Sequence, residues 1–134
     1  MLALTAVLDA VAIGIFAAVG RSSHDEGLSP SGVWDTAWPF LVGAAVGWLI
    51  VGLLRRTPIA LAPGGVIIWI STVVVGMLVR WATDAGTATA FIVVATISTA
   101  ILLLGWRLIA LIVLSRSDRS GTSSGAGEAT QSSR

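Results

Sequence analysis

Asp9 and Arg107 are the only ionisable residues set well inside the four apolar stretches that make up most of this chain. Charges are costly in hydrocarbon, so such residues are rare there and face a partner, a cavity or a water path. Three kinds of chemistry fit the two side chains. They form a hydrogen-bonded ion pair that relieves the desolvation of both. Alternatively, Arg107 snorkels to the interface on its long stem while Asp9 stays protonated or caps a neighbour. In the third reading, one of them handles a proton or a substrate.

A second polar group is the run Arg21-Ser22-Ser23-His24-Asp25-Glu26-Gly27. His24, Asp25 and Glu26 all have metal-ligand chemistry, but adjacent residues on a helical turn point apart and rarely converge on one ion. Ser23 and Glu26 have the S-x-x-E spacing of a capping box, which favours a solvated, capped turn. Arg80 and Asp84 fall on the same side and offer a latch, so Arg21, His24, Asp25, Glu26, Arg80 and Asp84 together are read as an outer polar cap. Neither a metal site nor a cofactor is expected. The serines and threonines of the apolar stretches have no base at recognisable spacing, so no catalytic residue is assigned and an enzyme is not expected.

The elements that must position these residues follow from composition. The chain has 134 residues, 55% of them hydrophobic and 11% charged, and a mean hydropathy of +0.92. That is too little polar surface for a water-soluble globule of this size, and a membrane protein is expected. With a formal net charge of +1 and arginines scattered at segment ends, no nucleic-acid partner is expected. Cysteine is absent, which removes disulfides and thiolate chemistry. The first stretch lacks a basic leader and carries Asp9 in its apolar centre, so it reads as a retained helix and not a cleaved signal.

The predicted architecture is an all-α bundle of four transmembrane helices over residues 1–114, followed by a disordered Ser/Gly-rich cytoplasmic tail over 115–134. The first span covers residues 2–19, ended by Gly20; at 1.5 Å per residue it is about 27 Å long, near the thickness of a bilayer core. A short interfacial helix over 28–37, capped by Ser29 and opened by Pro30, precedes the second span at 38–54, with Pro39 bending the chain into the bilayer. The third span starts at Thr57-Pro58 and runs to 79, kinked or broken at Pro63-Gly64-Gly65. The fourth, capped by Thr87, covers 88–114.

In this layout Arg55, Arg56, Arg116, Arg119 and Arg134 lie on one side against Arg21 and Arg80 on the other. The positive-inside rule then places both termini in the cytoplasm of a cell whose plasma membrane holds the protein. Trp34, Trp38, Trp81 and Trp106 read as interface anchors, while Trp48 lies deep enough to suggest packing or a pocket wall. Asp9 and Arg107 each lie about 10 Å from the cytoplasmic face and so at matching depth.

Small residues recur on Ala3, Ala6, Ala10, Gly14 and Ala17 and on Gly43 and Gly47. Thr72, Gly76 and Arg80 repeat in the third helix, and Thr89, Thr96, Ala100 and Arg107 form a stripe on the fourth. Such stripes let helices approach closely, within the bundle or in a homo-oligomer.

Residues 20–27, 36–40, 76–80, 86–88 and 104–107 together resemble a family of small prokaryotic membrane proteins known as domain of unknown function 3054. The resemblance spans roughly residues 9 to 107 and places Arg21, His24, Asp25, Glu26, Trp38, Pro39, Arg80, Trp106 and Arg107 on matching positions. It implies an integral membrane protein and supplies no activity. The leading expectation is therefore a non-enzymatic membrane component that meets the lipid bilayer and another membrane protein or copy of itself. The competing expectation is a small proton- or cation-coupled transporter acting as a homodimer, with a water-accessible cavity reaching Asp9.

Overall fold

The computed structural model describes residues 2–22 and 27–125, with the side chains of 119–125 excepted. His24, Asp25 and Glu26 of the expected polar cap, and Ser23 of the expected capping box, lie outside the described residues. Four helices carry the fold: α1 (Leu2–Ser22), α2 (Pro30–Leu53), α3 (Val66–Ala82) and α4 (Thr89–Gly125). Each packs on its neighbours in sequence, and α4 returns to α1, so the bundle closes as a ring. All four are long and apolar enough to cross a membrane, the third when the preceding turn is included as Leu61–Ala82.

The helix ends follow local chemistry, with several shifts from the expected bounds. Gly20 does not end α1, because an interior glycine weakens a helix by only about 1 kcal/mol. The helix continues to Ser22, whose hydroxyl donates to the Val19 carbonyl at 2.9 Å. Ser29 caps α2 as expected, its hydroxyl accepting from the Gly32 amide at 3.1 Å, and Pro30 occupies the first turn. Residues 30–37 are helical but are not a separate interfacial helix. They run unbroken through Pro39 into the second span, because Pro39 removes one backbone bond while Ala37, Pro39 and Phe40 are all buried in the bundle. In place of a cap at Thr87, α4 opens at Thr89, with the Ile92 amide on the Ala88 carbonyl at 3.0 Å. It also continues past Leu114 to Gly125, where an unstructured tail was expected. Two serine hydroxyls of that stretch satisfy helix carbonyls, Ser115 on Ile112 at 2.9 Å and Ser117 on Val113 at 3.2 Å. Residues 126–134 of that tail lie outside the described residues.

The largest departure precedes α3. No helix starts at Thr57-Pro58; residues 57–60 form a turn and Leu61–Gly65 a wide, distorted one. Ala62 there is extended (φ −135°, ψ 141°), as a residue before proline prefers, and the Ala62–Pro63 peptide is cis. A Cβ on Gly64 would collide with the Thr57 carbonyl, so the chain folds back on itself only with glycine at that point.

Two close contacts set the helix arrangement. Gly43 and Gly47 of α2 lie directly on the α3 backbone: a Cβ at Gly43 would stand 2.7 Å from the Thr72 carbonyl oxygen, and one at Gly47 2.8 Å from the Ile68 Cα. The Ser71 hydroxyl donates to the Gly43 carbonyl at 2.9 Å across the same seam. The GxxxG stripe is thus spent inside the bundle. At the end holding the α1–α2 and α3–α4 connections, the chain's three phenylalanines gather from α1, α2 and α4. Phe16 meets Phe40 edge to face at 5.1 Å, and Phe91 lies 6.5 Å and 6.2 Å from them. Gly76 of α3 leaves room for the Phe40 ring, since a Cβ there would lie 2.7 Å from its Cδ1.

The stripes expected on α1 and α4 are displaced. Ala3, Ala6 and Ala10 are exposed, and α1 buries Thr5, Asp9, Ala12, Ile13 and Phe16 together with Ala17 of the expected stripe. On α4 the buried line is Ala95, Thr99, Leu103 and Arg107, repeating every fourth residue, with Thr96 and Ala100 half-buried beside it.

Candidate functional site: a buried ion pair bound by two indoles

Asp9 and Arg107 meet in the bundle interior. The guanidinium addresses the carboxylate through both terminal nitrogens, Nη1 to Oδ1 and Nη2 to Oδ2, each at 2.7 Å. Arg107 is 0% exposed and Asp9 1%, so Arg107 does not snorkel. The paired, parallel N–H···O arrangement is the strongest geometry available to these groups.

Each Asp9 oxygen takes a second donor. The Trp48 indole on α2 donates to Oδ2 at 3.0 Å, and the Trp106 indole on α4 donates to Oδ1 at 3.0 Å. Four N–H groups therefore converge on one carboxylate, which has about four acceptor positions. A proton or a cation reaching Asp9 must first displace one of them.

Arg107 is held from its other side by backbone. Its Nε donates to the Pro58 carbonyl at 2.9 Å, and Nη1 also donates to the Leu103 carbonyl one turn back at 2.7 Å. The Pro58 carbonyl is available because residues 57–60 are not helical. The stem passes over Gly65, where a Cβ would stand 2.7 Å from the Arg107 Cδ. The Trp106 ring also stacks on the charge, with Cζ 4.5 Å from its centroid. Helices α1, α2 and α4 and the turn before α3 all contribute to the one site.

Among the expected anchors, Trp34 and Trp81 are 60% and 72% exposed, and Trp38 is half-buried. Trp106 is placed differently, with its N–H turned inward to Asp9. Trp48 is both a ligand of Asp9 and a wall of a groove of about 380 Å³ between α1 and α2, lined also by Ala6, Ala10, Ala44 and Ala45.

Of the described members of the outer cap, Arg21 and Arg80 line one cavity beside the phenylalanine cluster. Arg80 donates to the Gly86 and Ala85 carbonyls at 3.1 and 2.6 Å and lies over the Phe91 ring at 4.2 Å. Arg21 reaches the Gly27 carbonyl at 3.2 Å, and Asp84 is an exposed turn residue with φ 53°.

Spacing and depth bring out Asp9 and Arg107. Depth also marks Trp48 as a packing residue or pocket wall, but not as a donor to Asp9, because depth says nothing of azimuth around a helix; Pro58 and Gly65 contribute backbone and space with no side-chain signal at all.

Fold and site together define an all-α membrane protein, four apolar helices closed around one fully hydrogen-bonded ion pair. Residues 6–110 match the model of a family described as a protein of unknown function (DUF3054), and the chain belongs to that family. No curated protein and no solved structure matches it.

Proposed function

We propose that this protein is a non-enzymatic, multi-pass component of the plasma membrane. Its four helices cross the bilayer with both termini cytoplasmic, and the Asp9–Arg107 pair acts as an internal clasp that fixes the helices for contact with lipid and other membrane proteins. The observation that carries this reading is the saturation of the Asp9 carboxylate by two guanidinium and two indole N–H groups. A site that takes up and releases a proton or substrate needs open coordination; a clasp needs none. The distribution of arginines supports the orientation.

The clasp is tested by separating loss of pairing from loss of charge. Asp9→Asn and Arg107→Gln each leave a buried group without its partner and lower stability by about 3–5 kcal/mol. The double replacement Asp9→Leu with Arg107→Met removes both charges and recovers much of that loss, as apolar substitutes for buried pairs do. Thermal unfolding of the purified variants in detergent reads both effects. Single variants that fold and accumulate normally yet abolish a transport phenotype would overturn the reading.

A second reading, a small proton- or cation-coupled transporter acting as a homodimer, is favoured by one observation, the groove between α1 and α2 with Asp9 in its wall. It requires the clasp to open during a cycle. Proton-coupled uptake by vesicles containing the wild-type chain, lost in Asp9→Asn of equal abundance, supports it; uptake that persists in Asp9→Asn excludes it.

A further inference from the structure

Two hairpins make up the bundle, α1 with α2 and α3 with α4, and their connections are built alike. Arg21, near the end of α1, donates from Nε to the Gly27 carbonyl at 3.2 Å, and Arg80, near the end of α3, donates from Nε to the Gly86 carbonyl at 3.1 Å. Both glycines have left-handed backbone, with φ 74° and 81°. The sequence repeats as well, since Arg-x-x-x-Asp-x-Gly occupies residues 21–27 and again 80–86.

The shift that carries Arg21 onto Arg80 also brings the flanking elements into line. It takes Leu2, where α1 begins, onto Leu61, where the third candidate span begins, and Pro30, where α2 opens, onto Thr89, where α4 opens. The buried faces stay in register. Thr5, Asp9, Ala12, Ile13 and Ala17 of α1 fall on Gly64, Ile68, Ser71, Thr72 and Gly76, all of them buried; Phe16 alone falls on a half-buried residue, Val75. In the second helices, buried Phe40 and Ala44 fall on buried Thr99 and Leu103. One helix face matches another at several shifts, about one per turn. Here the loops fix the shift before burial is compared.

Contacts between the hairpins follow the same relation. Gly47 lies on Ile68 across the α2–α3 seam, and its equivalent Trp106 lies on Asp9, the equivalent of Ile68, across the α4–α1 seam. Trp48 and Arg107 are equivalent too, and both donate to Asp9. Towards the loop end, Arg21 and Arg80 line one cavity from opposite hairpins, as residues related by an axis along the bundle do.

We propose that the chain is one helical hairpin repeated in tandem, residues 2–54 and 61–113, packed about a pseudo-twofold axis, so that the surface each hairpin presents is shaped to receive the other. The two seams have since diverged. One keeps glycine and packs on backbone. In the other, tryptophan stands in the place of glycine and an acid in the place of isoleucine, and the ion pair fills the seam. The Asp9–Arg107 pair is therefore an addition to one of two equivalent seams, and the other closes without it.

The test moves the pair into the seam that lacks it. In the full chain carrying Asp9→Leu and Arg107→Met, Ile68→Asp buries a carboxylate with no partner and lowers the unfolding midpoint in detergent. Adding Trp48→Arg, which the repeat places against position 68 as Arg107 stands against Asp9, recovers stability. The coupling between the two changes is expected to be about tenfold in the folding equilibrium. Zero or unfavourable coupling overturns the proposal. A second measurement leaves the interior untouched: replacing residues 22–26 by the sequence of 81–85, or the reverse, keeps the fold and its midpoint. Loss of folding in either loop exchange also overturns it.

Discussion

Arg107 is fully buried, and its three side-chain nitrogens find oxygen partners from three different stretches of chain: Asp9 on α1, Pro58 before α3 and Leu103 on α4 itself. The alternative to such a set is a buried unpartnered charge, which low dielectric makes prohibitive. This is why Asp9 and Arg107 were legible from sequence as a pair. Matching depth and opposite sign are written in the spacing, and hydrocarbon leaves few other arrangements. Their auxiliaries were legible only in part: depth set Trp48 apart without naming its partner, Trp106 has a commoner use in the membrane interface, and a carbonyl or a missing Cβ carries no residue-type signal. Trp106 shows the difference, since its position suits a belt while its N–H points inward. Trp48→Phe and Trp106→Phe each keep a ring but remove one donor from the carboxylate, and each is expected to lower stability by about 1.5–3 kcal/mol. Thermal unfolding in detergent measures it, and values near zero would mean that the indoles are not bonded to Asp9. Gly65→Ala acts from the opposite side. Its new methyl stands 2.7 Å from the Arg107 Cδ, pushes the stem off the turn, and lowers stability by about 1–3 kcal/mol as overpacking does.

At the scale of elements, the helices themselves were readable from apolar run lengths, and their junctions were not. A proline-glycine-glycine sequence announces a break, but its reach back to residue 57 depends on Arg107, which lies across the bundle and takes the Pro58 carbonyl that a helix would have used internally. Pro39 makes the reverse case: a proline read as a bend stays inside α2 because buried neighbours hold the helix together. The α2–α3 seam gives a sharp comparison between glycines that are required and glycines that are not. Gly43→Ala introduces a methyl 2.7 Å from backbone and forces α2 and α3 apart, lowering stability by about 1–3 kcal/mol. Gly52→Ala, on the same helix with nothing within 4 Å of the new methyl, raises it by about 0.5–1 kcal/mol through helix propensity. Equal effects would refute the close seam.

The ends of α2 and α3 share a second device. Arg55 and Asp84 both adopt left-handed backbone, and the following amides close the turn, Arg56 on Val51 and Ala85 on Arg80, each at 2.9 Å. A side chain in that conformation costs about 1–2 kcal/mol. Asp84→Gly therefore raises thermal stability by about 1 kcal/mol, and a loss would show that the Asp84 side chain supports the turn.

For the whole molecule, the decisive quantity is where apolar surface points. Leu49, Leu53, Ile101 and Ile109 are each more than 60% exposed, and an apolar 18-residue stretch of α4 has only 17% of its residues buried. In water a continuous apolar surface of this kind drives association; in hydrocarbon it is simply solvated. The interior of the bundle agrees with a lipid surround, since α2 and α3 meet glycine on backbone and the buried Asp9–Arg107 pair is fully bonded. The up-and-down order of the helices then puts Thr57 and Ser117 at one end and Ala85 at the other. Because the chain contains no cysteine, a single cysteine at each of these exposed positions reports on topology without background. On intact cells a membrane-impermeant maleimide is expected to label Ala85→Cys and to reach Thr57→Cys and Ser117→Cys only after permeabilisation. The reverse pattern would keep four crossings but invert the termini, against the arginine distribution. Labelling of Thr57→Cys and Ala85→Cys from the same face would mean that α3 does not cross.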